Sequence, residues 1–353
     1  MRMIVVGTAA TAVLISGCTG SISRSTPAQP TSPRPSAAPT TASALELEHA
    51  YEKVIQDVLP SIVQINTRAG LGSGIVYDTA GHIVTNAHVV GEATQMEVTP
   101  ATGGAARKAR LVSSFQAGDL AVIKVANPRG LTPATFGDSA KARVGQIVLA
   151  MGNPLGFSGS VTNGIVSAVG RTISEPQSDS GGTVATIANA IQTSAAINPG
   201  NSGGALVDMS GRVIGIPTLT ATDPELGSGT APGIGFAIPS NTATDIAAQI
   251  VKDGKVSNSR KAALGILGRT VIGRGGDEAG VGVVRVTRGK SAANAGIEEG
   301  DVILSINGTD TPSMAALSEV LATLKPGDRT KVEVLKQDGS TVTVNVTLTE
   351  LTA

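Results

Sequence analysis

Short apolar stretches, broken by clusters of Gly, Asp, Asn and Ser, fill the chain from residue 61 to residue 239. The spacing predicts strands at 62–66, 71–77 and 82–86, the last two joined as a hairpin through Asp78-Thr79-Ala80-Gly81. Further strands are expected at 108–112, 120–125, 161–171, 183–192, 205–207, 212–216 and 233–239, with an apolar run at 142–150. Residues 172–182 and 218–232 read as loops. Many short strands over about 180 residues, with no alternation of strands and helices, point to β-barrels.

Helical patterns flank this region. Leu45, Ala50 or Tyr51, Ile55 and Leu59 share a face over 44–59, and Pro60 ends that helix. Ser240 or Asn241 caps a second helix, closed by Asp253-Gly254. Residues 255–261 are polar and read as a linker. From Leu264 a compact unit follows, with strands at 264–266, 281–286, 301–306, 331–335 and 341–348. Its helix starts at Pro312 after the cap Thr311 and carries Met314, Leu317, Val320 and Leu321 on one side.

The N-terminus differs in kind. Residues 4–15 are apolar after Arg2, a run shorter than the roughly 20 residues of a membrane span. It ends in Leu14-Ile15-Ser16-Gly17-Cys18, which resembles the lipobox of bacterial lipoproteins, where cleavage before the cysteine exposes it for lipidation. A plain signal peptide or an uncleaved anchor is the alternative. Residues 19–43 are Pro, Ser, Thr and Ala with almost no apolar bulk, so they form a disordered tether. The expected organisation is a lipoprotein signal at 1–18, tether at 19–43, strand-rich domain at 44–250, linker at 251–262 and second domain at 263–350.

Composition narrows the function. The hydrophobic fraction is 41% of 353 residues, ample for a core, and formal charge is zero. With no basic run and no aromatic platform, a nucleic-acid partner is not expected. A single cysteine, Cys18, excludes an internal disulfide, and three scattered histidines offer no metal constellation. No cofactor is expected. Gly289-Lys290-Ser291 looks like a P-loop ending, but position 284 is Val where that loop needs glycine.

The candidate chemistry lies in Thr193 to Gly204, a serine among small residues. Gly200, Gly203 and Gly204 allow backbone angles closed to other residues and leave the approach to Ser202 open. An ordinary Gly/Ser turn is the plain reading. Gly200-x-Ser202-x-Gly204 also fits the nucleophile elbow of α/β-hydrolases, but that fold needs its histidine after the serine. His49, His82 and His88 all precede Ser202. The remaining order with a base is His, Asp, Ser. His49 lies on a helix surface, and His82 follows a turn glycine at the rim, in water. His88, at the far end of its strand, is the better base. Asp119, just before the apolar run Leu120-Ala121-Val122-Ile123, can be held desolvated against an imidazole; a plain turn aspartate is the alternative.

Thr85-Asn86-Ala87-His88-Val89-Val90, Asp119-Leu120-Ala121-Val122-Ile123-Lys124-Val125 and residues 195–205 together resemble the three catalytic blocks of the HtrA/DegP family of serine proteases. Residues 233–240 are similar to the block after them, and Gly296 to Gly308 to the core of the family's PDZ domain. The resemblance covers about residues 60–348. It implies a mostly β protein, a chymotrypsin-like double β-barrel followed by a PDZ domain.

On that resemblance Ser202 is the nucleophile, His88 the base and Asp119 the residue that orients it. The N–H groups of Gly200 and Ser202 form the oxyanion hole. Ile197 lines the S1 pocket or packs in the core, and the other wall falls near Leu219 to Ala221. Leu264-Gly265-Ile266 binds the terminal carboxylate of a peptide, or the PDZ unit is a docking spacer. The implied function is a bacterial cell-envelope endopeptidase for unfolded proteins, anchored through lipidated Cys18 and facing outside the cytoplasm. A lipid-anchored chaperone or peptide-sensing scaffold that does not cut is the alternative. Three positions depart from the family. Ser194 stands where Asp is usual, weakening a loop contact. Pro217 stands where Asn is usual, and the short loop 78–81 favours a simple homotrimer.

Overall fold

The computed structural model describes residues 40–351 apart from 69, 154–158, 175–184, 199 and 224–228; at 40–43, 219–223 and 229–232 only the backbone is described. The signal, Cys18 and most of the tether lie outside these residues. Helix α1 spans Thr40–Val58, starting four residues earlier than its apolar periodicity, and sends Val54 and Val58 into the core.

Six strands follow: β1 (Ile62–Asn66), β2 (Leu71–Val76), β3 (His82–Thr85), β4 (Gln95–Pro100), β5 (Arg107–Phe115) and β6 (Leu120–Val125). The one-turn helix α2 (Ala87–Val90) lies between β3 and β4. The strands close into a barrel in the order β1-β2-β3-β6-β5-β4. A second closed barrel contains β7 (Ile147–Gly152), β8 (Ser160–Ser174), β9 (Thr186–Thr193), β10 (Ala205–Asp208), β11 (Val213–Asp223) and β12 (Gly229–Pro239). Phe115, Leu120, Val122, Met151, Ile187, Ile216 and Ile238 from both barrels share one core with Ile246 and Ile250 of α3 (Ser240–Asp253).

The final unit contains β13 (Ala262–Ala263), β14 (Ile266–Ile272), β15 (Glu278–Val286), α4 (Ser291–Asn294), β16 (Val302–Ile306), β17 (Thr309–Asp310), α5 (Met314–Ala322), β18 (Arg329–Leu335), β19 (Thr341–Thr347) and β20 (Thr349–Glu350). Its main sheet runs β14-β15-β16-β18-β19, and Val281, Ile303, Ile306, Leu317, Val332 and Val334 form a separate core. Helix α5 lies against β8 and β9 of the second barrel.

Four expectations change. Helix α3 begins at Ser240 itself, after Pro239 and without a side-chain cap, so neither Ser240 nor Asn241 caps it. The segment 218–232 is not a plain loop: β11 extends to Asp223 and pairs with β12 from Gly229. Irregular register at Leu219 and Thr222 interrupts the alternation that would have revealed these strands. Helix α5 is capped by Ser313, whose hydroxyl accepts from Ala316 N–H, so Pro312 precedes the helix rather than opening it. His82 is buried rather than set in water. Its Nδ1 lies 2.6 Å from Asp78 Oδ2, and its backbone N–H donates to Asp78 Oδ1 at 3.0 Å. Partial burial pushes the Asp78 carboxyl up, but these bonds from His82 bring it below its ordinary value. His82 thus closes its own hairpin turn.

Candidate active site

His88 and Asp119 both come from the first barrel. Asn86 is extended before α2, which turns His88 out of the end of β3. Asp119 follows a short 3-10 turn over Gln116–Gly118 and takes a left-handed φ of 50°. That angle is unfavourable for a residue with a Cβ, so surrounding bonds must hold it.

The carboxylate is enclosed by donors. His88 Nδ1 lies 3.0 Å from Asp119 Oδ1 and 2.9 Å from Oδ2, and the His88 backbone N–H donates to Oδ1 at 3.0 Å. The Thr218 hydroxyl donates to Oδ2 from β11 of the second barrel. Asn86 Nδ2 donates to the Asp119 backbone carbonyl at 3.0 Å. The Asp119 side chain is 2% exposed and the His88 side chain 39%. A carboxylate facing Nδ1 places the imidazole proton there and leaves Nε2 as the basic nitrogen.

Ser202 comes from the second barrel, between β9 and β10. Its Oγ donates to the Thr218 carbonyl at 3.4 Å. Thr218 therefore touches the acid through its hydroxyl and the serine through its backbone. It lies inside the segment read as a loop, where no motif marked it.

The serine turn is held on several sides. Asn201 Oδ1 accepts from Asn198 N–H at 3.1 Å, and its Nδ2 donates to the Ala196 carbonyl at 3.0 Å. Gly203 N–H donates to the Pro217 carbonyl at 3.0 Å. Pro217 thus uses its acceptor here, which a proline retains. Ser194, where Asp was the usual residue, still makes a loop contact: its Oγ accepts from Ile165 N–H at 3.0 Å. Among the described residues, the N–H groups of Gly200 and Ser202 donate to no protein group.

Ser73 joins the barrels. From β2 its Oγ donates to the Gly200 carbonyl and accepts from Asn153 N–H at 2.8 Å. Its backbone N–H donates to the Ser202 carbonyl at 3.0 Å, and Thr85 Oγ1 donates to the Ser73 carbonyl at 2.6 Å. Like Thr218, Ser73 carries no motif that distinguishes it from other strand serines.

Ile197 is buried in the core of the second barrel with Val148, Ile191, Leu206 and Ile214, and packs against Gly235. The side chains of Leu219 and Ala221 lie outside the described residues. In the final unit, Leu264, Gly265 and Ile266 line a cavity of about 170 Å³ with Met314, Leu317 and Leu321. The N–H groups of Leu264 and Gly265 have no protein acceptor among the described residues.

Residues 72–216 match the trypsin-like peptidase domain, and residues 245–348 match the PDZ domain. The chain is 40% identical to the serine protease Do-like HtrB of Bacillus subtilis over 337 residues, 85% of this chain and 70% of that protein. It is 41% identical over 287 residues to the periplasmic serine endoprotease DegP of Salmonella typhimurium, covering 79% of this chain and 56% of DegP. Among solved structures, the HtrA-type protease AlgW with decapeptide matches at 30% identity with a TM-score of 0.55, over 85% of this chain and 98% of that one. A double barrel with a PDZ unit behind it, shared at this level of identity, shows that the chain belongs to the HtrA/DegP family of serine proteases.

Proposed function

We propose that this protein is an exported endopeptidase that cleaves unfolded proteins, using Ser202 as nucleophile. The observation that carries this reading is the chain of bonds across the two barrels: His88 pairs with Asp119, and Thr218 bonds both Asp119 and Ser202. His88 Nε2 takes the Ser202 proton as Oγ attacks the scissile carbonyl, then delivers it to the leaving amine. Asp119 holds the imidazole tautomer and stabilises its cation. The N–H groups of Gly200 and Ser202 receive the oxyanion, each such donor contributing about 3 kcal/mol to lowering the barrier. Ile197 and the irregular strand at Leu219 and Ala221 form the wall for a small or medium aliphatic residue before the cut. The assembly we expect is a homotrimer, and a soluble part that crosslinks only as a monomer by mass would refute it.

At the PDZ unit, the N–H groups of Leu264, Gly265 and Ile266 take the carboxylate of a C-terminal peptide, which adds as a strand between β14 and α5. Met314, Leu317 and Leu321 receive its last side chain.

A fluorophosphonate probe tests the central assignment. The wild type is expected to be labelled at one site, and Ser202→Ala to remain unlabelled although folded. An unlabelled wild type, with or without a C-terminal peptide present, would leave a chaperone or scaffold as the reading.

We place the protein on the outer side of the cell membrane through lipidated Cys18, supported by the cysteine's position at the end of the apolar run. Cys18→Ala is expected to move the protein from the membrane to the soluble fraction. Retention on membranes after a salt wash would rule out lipid as the anchor.

A further inference from the structure

Lys261 is an unusual residue for its position. It ends the polar stretch before β13, where a lysine ordinarily lies in water. Its backbone is fixed to the C-terminal segment: Leu351 N–H donates to its carbonyl at 2.8 Å, and its own N–H donates to Ser259 Oγ at 3.2 Å. Its side chain runs the other way, into the barrels. Nζ donates to the Ala117 carbonyl at 2.5 Å and to the Thr186 carbonyl at the start of β9. It stands 5.4 Å from the centre of the Phe115 ring. One ammonium thus ties the linker that carries it to the first barrel and to the second barrel.

The first of these acceptors matters most. Ala117 is in the 3-10 turn that delivers Asp119, two residues before it. A donor on the Ala117 carbonyl fixes the plane of the Ala117–Gly118 peptide, and that plane sets where the left-handed Asp119 begins. On the inner side, Gly118 lies against the Phe115 ring, so the turn cannot retreat inward. Lys261 is half-buried; desolvating its charge is costly, and an apolar side chain of the same length would fill the space at less cost. The ammonium needs a reason beyond packing.

We infer that Lys261 is a positioning residue for the proteolytic reaction, holding the turn that presents Asp119 to His88. This inference rests on the triad assignment above. The groups packed around Nζ are the Phe115 ring, the Ala117 and Thr186 carbonyls and, as the ionisable group whose charge reaches it, Asp119. Burial pulls the ammonium down to about 8, and the Asp119 charge pulls in the opposite direction. Above that pH the neutral amine is a weaker donor to the two carbonyls. The folded protein binds this proton less tightly than the unfolded chain, so its loss favours the folded state as pH rises. Positioning and stability therefore move in opposite directions with pH, which separates a positioning role from a structural one.

The test compares wild type, Lys261→Met and Lys261→Arg in the full-length protein, on fluorescently labelled casein from pH 7 to 10, with melting temperatures. Lys261→Met is expected to lose ~10-fold in kcat, since small displacements of a catalytic group are costly. Its KM should stay within about twofold and its Tm should not fall. Arg keeps its charge throughout, so Lys261→Arg should restore most of kcat and lack the wild type's decline above about pH 8. A Lys261→Met protein with full kcat at every pH would overturn the inference, as would equal losses in Met and Arg variants that track a lowered Tm. Should Lys261→Met fail to fold, the same alkaline decline in wild type and Lys261→Arg would overturn it. A wild type inert on casein and unlabelled by fluorophosphonate would instead refute the triad assignment, and this inference with it.

Discussion

Asp119→Asn is expected to lower kcat by about 10⁴-fold while leaving the barrels folded. The reason lies in the donors around this carboxylate. His88 Nδ1, His88 N–H and the Thr218 hydroxyl all point at its two oxygens. An amide of the same shape has one acceptor oxygen. It satisfies the backbone N–H or the threonine, but its NH₂ then faces a donor. The least costly adjustment is for His88 to move its proton from Nδ1 to Nε2, the tautomer that cannot accept the Ser202 proton. Shape is retained and basicity is lost. Turnover of labelled casein, with circular dichroism melting on the same samples, measures both. A kcat within tenfold of wild type would remove Asp119 from the role assigned to it.

Gly203→Ala should cost about 3 kcal/mol or more and abolish fluorophosphonate labelling. Gly203 has a φ of 79°, and a Cβ there would overlap the Ser73 carbonyl and Thr85 Oγ1. Its N–H is held by the Pro217 carbonyl, so the residue cannot swing away without losing that bond. The overlap must be relieved by moving the turn that carries Ser202. Gly91→Ala is the control. Its φ is also positive, at 55°, but nothing lies within 4 Å of its Cβ position. It should pay only the angular cost, about 1 kcal/mol, and label normally. Calorimetry of both variants beside the labelling assay makes the comparison. A Gly203→Ala protein that melts with the wild type and labels fully would contradict this account.

Much of this architecture was legible because turn chemistry divides the chain. Asp78 to Gly81 marks a hairpin, and the order of His88, Asp119 and Ser202 leaves few folds that could unite them. What stayed hidden was set by contacts distant in sequence. Thr218 lies sixteen residues beyond Ser202, and Ser73 bonds to a carbonyl 127 residues away. No local pattern encodes such pairs. His82 departs from expectation because a position after a turn glycine is ordinarily wet, whereas here Asp78 folds back over it. The Ser313 cap escapes the pattern because Thr311-Pro312 offers an equally good local start two residues earlier. The strands around Leu219 leave no clear pattern because bulges disrupt the two-residue alternation.

The clasp at Ser73 has a consequence for a protease that must be made inside a living cell. The chain emerges with the first barrel ahead of the second. On the proposed triad its first half holds the base and the acid, and its second half the nucleophile, while Ser73 of the first half binds the carbonyls of Gly200 and Ser202 in the second. Neither half contains a cutting edge. On that assignment a chain whose second barrel is not yet folded lacks a complete triad, and competence arrives only when the second barrel closes onto the first. The seam between its barrels acts as the safety catch.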